Sequence, residues 1–82
     1  MPERGEVVAV IGRVLRDEIG LERAVRPEDD LLADLQLDSV GLLTLLVGLE
    51  DHFRVALAEQ DAATVRTVGD LAALIAARAE GR

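Results

Sequence analysis

The segment from Val40 to Phe53 limits the possible folds more than any other, because it holds too many apolar residues for one face of a helix. At about 100° per residue, Leu42, Leu45, Leu46, Leu49 and Phe53 gather on one side, the expected core face. Val40, Leu43 and Val47 form a second stripe opposite them. In a chain of 82 residues, a helix that is apolar almost all round must be fully buried or offer a strip to a partner. The second stripe begins beside Ser39 and is flanked by Glu50 and Asp51, an apolar strip with polar edges, which favours a partner. The competing arrangement packs Val40 and Leu43 against the preceding loop.

The remaining sequence reads as helix, with no good strand. Val7, Val10, Ile11, Val14, Leu15 and Ile19 recur at three- and four-residue steps, so a first helix buries one stripe and exposes Glu6, Arg13, Arg16 and Asp17. Gly20 is its expected stop. Pro27 and clustered acids make Leu21 to Leu37 a long loop, with one helical turn near Pro27 to Asp30 and with Leu31, Leu32 and Leu35 pinning it to the core. A short helical turn follows near Glu59 to Ala63. Thr67 and Asp70 form a capping-box pair for a last helix through Leu71, Leu74 and Ile75. The expected fold is all-α: a four-helix bundle of three main helices and one short one, with a long loop between the first two. It occupies 1–82 as one domain, with a core at about 5–78 and short flexible termini.

Composition excludes several classes of function. With no cysteine, neither a disulfide framework nor a thiolate metal site is available. No segment approaches the roughly 20 uninterrupted apolar residues of a membrane span, and Met1-Pro2-Glu3-Arg4 lacks a signal peptide's basic-then-apolar order, so a cytoplasmic protein is expected. Of the net charge of −7, the stretch from Glu28 to Asp61 carries nine acids against Arg54 alone. Such an acidic centre repels nucleic acid and anionic lipid and favours protein partners that present arginine and lysine. The same crowding implies that salt or divalent cations raise the melting temperature. The lone His52 has no neighbours that would make a metal site or a triad, and it reads as a surface or boundary residue. Phe53 reads as a core anchor rather than a stacking platform for bases.

Asp38-Ser39-Val40 stands at the start of the apolar helix. Serine and aspartate suit a helix N-terminus on capping and dipole grounds, so the tripeptide alone marks only a helix start. Its surroundings are more specific: Asp30-Leu31-Leu32-Ala33-Asp34-Leu35 upstream, then Leu46, Leu49-Glu50 and Phe53, then Thr67-Val68-Gly69-Asp70-Leu71. From about Val7 to Ile75 this pattern resembles the acyl carrier protein family, in which an Asp-Ser-Leu-type tripeptide begins the second helix and its serine carries 4′-phosphopantetheine. Ser39 is the matching position, and Asp38 is the flanking residue of the motif. The resemblance implies an acyl-carrier-like bundle whose second helix, here Val40, Leu43, Val47, Glu50 and Asp51, is read by partner enzymes.

The implied role is that of a carrier, not an enzyme. A phosphopantetheinyl transferase delivers the arm from coenzyme A and supplies the magnesium and the general base. The terminal thiol then holds acyl groups as thioesters for an acyltransferase or ligase, a ketosynthase or other discrete tailoring enzymes. This chain contributes no metal ligand or catalytic residue, and a monomer is expected. Where many fatty-acid carriers have acids, Gly41 and Thr44 stand here, which shifts recognition toward Val40, Leu43 and Val47. The chain reads as a freestanding, type II carrier, and those departures, with all basic residues arginine and abundant Ala, Val, Leu and Gly, tilt the expectation to a polyketide or other specialised pathway over fatty-acid synthesis. The alternatives are an aminoacyl or peptidyl carrier, although its usual Gly-Gly-His-Ser is absent from Gln36-Leu37-Asp38-Ser39, and an unmodified helical interaction module. Gly41 and Gly48 each cost about 1 kcal/mol relative to alanine, so they invite close approach of a backbone or an acyl chain, or are neutral drift.

Overall fold

The apolar periodicity becomes four helices in a computed structural model that describes residues 3–80. The termini expected to be short and flexible include Met1, Pro2, Gly81 and Arg82, which lie outside the described residues. The first helix, α1 (Arg4–Ile19), buries Val7, Val10, Ile11 and Leu15. It stops where expected: Gly20 adopts the left-handed conformation at φ 73°, and its amide donates to the Arg16 carbonyl. Ile19 departs from the expected buried stripe and is 42% exposed. It sits at the end of the bundle, where only one side of it faces α2 near Gly41.

The helix α2 (Ser39–Phe53) buries Leu45, Leu46 and Leu49, and Leu42 and Phe53 pack half-buried at the margin of the same core. A short helix, α3 (Glu59–Thr64), and a last one, α4 (Val68–Glu80), complete the chain. The capping box at α4 is present in both directions, Asp70 N–H donating to Thr67 Oγ1 at 3.0 Å and Thr67 N–H to Asp70 Oδ2 at 3.2 Å. At α3 only the reciprocal half forms: Asp61 Oδ2 accepts the Ala58 amide at 2.8 Å, and alanine has no side-chain acceptor to return. The helix α1 packs against α4 and α2, and α2 meets α4 more sparingly. The core runs between them through Ile11, Leu15, Leu45, Leu49, Leu71 and Ile75, all fully buried.

Gly48 has a packing reason. A Cβ there would stand 2.8 Å from Val14 Cγ1, so the missing side chain lets α1 and α2 approach.

The long loop forms, but its helical turn is displaced. Pro27 and Glu28 make one tight turn closed by the Asp29 amide on the Arg26 carbonyl, while the helix-like turn lies at 31–34. Asp30 is the cause: its Oδ1 accepts the amides of Leu32 (2.9 Å) and Ala33 (2.8 Å), which caps a turn that begins after it. That geometry corrects the expectation for Leu32. Leu31 and Leu35, four residues apart, share the inner side and are buried, whereas Leu32 points outward at 61% exposure. Leu37, not singled out by periodicity, is buried with them. The Asp30–Thr67 bridge and the Gly69 amide, which donates to the Pro27 carbonyl at 2.8 Å, tie this loop to the start of α4.

Asp29, among the described residues the one buried acid, fastens the loop from inside. Its carboxylate takes the Arg26 amide at 2.8 Å and the Arg23 guanidinium at 3.1 Å. Arg66 pairs with Asp30 at 3.2 Å and Arg78 with Asp61 at 2.8 Å. Three arginines from outside the acidic centre therefore reach into it, so mutual repulsion of its acids is smaller than their number suggests.

Candidate functional site

Ser39 is the first residue of α2, and its side chain is exposed. The capping role that serine and aspartate could share belongs to Asp38, whose Oδ1 accepts the Gly41 amide at 2.7 Å. Among the described residues no hydrogen bond holds the Ser39 hydroxyl. It projects from the end of the helix where the first amides lack intrahelical acceptors and the dipole is positive. A negatively charged phosphodiester on this oxygen would sit at that favourable end, so the donor set suits a phosphate-linked arm.

The backbone before the serine is unusual. Gln36 adopts φ 56°, in the left-handed region, and the next amide, of Leu37, donates to the Leu31 carbonyl at 3.1 Å. This reversal buries Leu37 and turns Asp38 and Ser39 out at the start of α2. Nothing in a lone glutamine signals such a conformation.

The second stripe of α2 is open to solvent: Val40 is 71%, Leu43 51% and Val47 56% exposed. The loop does not cover Val40 and Leu43, so the competing packing arrangement is not the one adopted. Thr44 Oγ1 donates to the Val40 carbonyl at 2.9 Å, which turns its hydroxyl back onto the helix. Of the flanking acids, Asp51 is exposed, while Glu50 is half-buried and accepts the Leu57 amide at 3.1 Å. His52 is exposed as expected and stands edge-on to Phe53, their ring centroids 4.7 Å apart.

Beside Ser39 an open apolar groove of about 280 Å³ runs between α2 and α3, lined by Ser39, Val40, Leu42, Leu43, Leu46 and Ala62. A second depression of about 300 Å³ lies on the other side of Leu42 and Ala62, bordered by Asp30, Leu31, Leu32, Val65 and Arg66. Ala62 was given no role by the sequence, since an alanine in a six-residue helix carries no signal. No helix of the described residues is long and apolar enough to cross a membrane. No cluster of three or more His, Cys, Asp or Glu that could hold a metal occurs among them.

Residues 6–75 match the family model described as "Phosphopantetheine attachment site". The acyl carrier protein of Myxococcus xanthus is 32% identical over 71 residues, covering 85% of this chain and 90% of that one. The acyl carrier protein MbtL of a Mycobacterium species is 41% identical over 73 residues, covering 88% of this chain and 82% of that one. Among solved structures, the acyl carrier protein of Thermotoga maritima superposes with a TM-score of 0.86 at 22% identity, over 95% of this chain and 92% of that one. The holo acyl carrier protein of Geobacter metallireducens gives a TM-score of 0.71 at 23% identity, covering 95% and 86%. At those identities the likeness to the two structures is one of fold.

Proposed function

This chain belongs to the phosphopantetheine-attachment family of acyl carrier proteins, and from that membership we propose that Ser39 bears the 4′-phosphopantetheine arm and that the chain shuttles acyl thioesters between discrete enzymes. The family is one of carriers and is not itself catalytic. The observation that carries the assignment is the placement of Ser39: exposed, at the first residue of α2, with capping delegated to Asp38 and an apolar groove alongside.

In this reading Ser39 contributes only its oxygen, and a phosphopantetheinyl transferase supplies the metal and the base. Asp38 fixes the helix end so that the hydroxyl is presented at one position. The arm supplies a thiol on which acyl groups ride, and the carrier raises their local concentration at successive active sites. Val40, Leu43 and Val47 form the strip that partner enzymes grip, with Asp51 and Glu50 at its edge. Gly41 and Thr44 leave this helix with fewer acids than charge-dominated docking uses, and that favours apolar recognition. We assign the chain to a cytoplasmic, monomeric carrier in a polyketide or other specialised pathway served by an acyltransferase or ligase and a ketosynthase.

The test is acyl transfer. After treatment with coenzyme A, magnesium and a broad-specificity transferase, an acyl donor enzyme should leave a covalent acyl group that neutral hydroxylamine removes. Ser39→Ala should acquire none. An acyl group retained by Ser39→Ala would place the attachment elsewhere.

A further inference from the structure

Between Val55 and Val68 no described apolar residue is fully buried; Leu57, Ala62 and Val65 are only partly so. A six-residue helix cannot hold itself in water, so α3 depends on what ties it down. Partial packing of Leu57, Ala62 and Val65 against the core is joined by polar ties. Arg78 of α4 donates from Nη1 to the Ala56 carbonyl at 3.0 Å and grips both Asp61 oxygens, Nη1 to Oδ2 at 3.1 Å and Nη2 to Oδ1 at 2.8 Å. Glu50 holds the Leu57 amide at the same end, and at the far end the Arg66 carbonyl accepts the Leu31 amide at 2.9 Å. One guanidinium thus joins the chain leading into α3 to the third residue of α3 itself, a three-bond fork that a point charge could not reproduce.

The helix it fastens contributes Ala62, which borders both depressions beside α2. We infer that Arg78 is a positioning residue: by seating α3 through Ala56 and Asp61, it sets the shape of the groove next to Ser39, although it lies on a different helix and does not line that groove. This deepens the carrier reading and rests on it only where the loaded arm is used as a probe.

The experiment compares the parent with Arg78→Gln, Arg78→Lys and Asp61→Asn. In the unmodified protein, amide hydrogen exchange across 59–64 should quicken in Arg78→Gln by about two- to fivefold, the range expected when an exposed but bidentate pair is lost. Exchange in α1 and α4 should stay as in the parent. Arg78→Lys should recover only part of the protection, because one ammonium cannot serve Ala56 and Asp61 together. On protein loaded from a coenzyme A bearing a solvatochromic acyl group, the emission of Arg78→Gln should shift to the red of the parent. Unchanged exchange at 59–64, an equal rise throughout the chain, or faster exchange with unmoved emission would each overturn the inference. A parent that takes no arm would instead contradict the carrier reading, and the exchange data would then decide on Arg78 alone.

Discussion

The Asp38 carboxylate accepts the Gly41 amide at 2.7 Å and so takes over the cap of α2, leaving the neighbouring Ser39 exposed, its hydroxyl bonded to none of the described residues. Two adjacent residues, both good caps by type, divide the work: one terminates the helix and the other is presented for chemistry. The division separates stability from function at this site.

Asp38→Ala should lower the unfolding free energy by about 1 kcal/mol, the usual loss for an N-cap. Ser39→Ala, at the first helical position, should change it by less than about 0.5 kcal/mol. Urea denaturation of the two variants beside the parent checks this. A larger loss for Ser39→Ala would mean that the serine, not the aspartate, holds the helix end.

Gly48 faces Val14 so closely that an added Cβ would stand 2.8 Å from Cγ1. Alanine gains about 1 kcal/mol in helix propensity, but it must displace a β-branched side chain that is stiff at χ1. Overpacking costs about 1–3 kcal/mol, so Gly48→Ala should be neutral to destabilising, and adding Val14→Ala should make the glycine replacement favourable in that background. Chemical denaturation of the four proteins in the double-mutant cycle reads the coupling. Additive effects would contradict the close approach of α1 and α2 at this point.

Acid should unfold the chain through its fastened aspartates. Backbone amides do most to hold Asp29, Asp30 and Asp70 below the ordinary value of 3.8: Arg26 N–H for Asp29, Ala33 and Leu32 N–H for Asp30, Thr67 and Arg66 N–H for Asp70. Asp61 is lowered first by its bond from Arg78. Each therefore binds a proton less readily folded than unfolded. Their stabilisation is complete above 3.8 and is lost as pH falls through that value toward the depressed ones. Urea midpoints should stay level near neutrality and fall steeply in that acid window. Replacing Asp29 and Asp70 together with asparagine should lower the plateau and flatten the fall. An undiminished slope would assign acid sensitivity to other groups.

The exposed stripe should matter to partners and not to folding. Val40→Glu and Leu43→Glu place charge on side chains that are 71% and 51% exposed, so melting temperatures should barely move. Loading by a transferase should fall by about tenfold in kcat/KM, the usual scale of an apolar anchor lost from an interface core. Equal loading rates would remove Val40 and Leu43 from the docking strip.

Much of this architecture is legible in the residues, and the illegible parts share a cause. Stripes such as Val7-Val10-Ile11 and the pair Thr67 and Asp70 report on neighbours one turn away, so helices and the α4 cap follow from spacing alone. The turn at 31–34 depends on which amides Asp30 captures, and Pro27 marks only the tight turn that precedes it. Gly48 was ambiguous because no local pattern says which side of α2 meets α1. The fork from Arg78 to Asp61 spans 17 residues, and the left-handed Gln36 and Arg54 (φ 57°) carry no glycine to mark them. At the site, Ser39 and the second stripe were visible as a motif and a surplus of apolar residues, whereas the groove wall at Ala62 exists only through tertiary packing.

The most direct test of the central claim is the intact mass of the purified chain after incubation with coenzyme A, magnesium and a broad-specificity phosphopantetheinyl transferase, with Ser39→Ala treated alongside. The account predicts the gain of one phosphopantetheine by the parent and none by the variant. Modification of both, or of neither while the parent remains folded and helical, would contradict it.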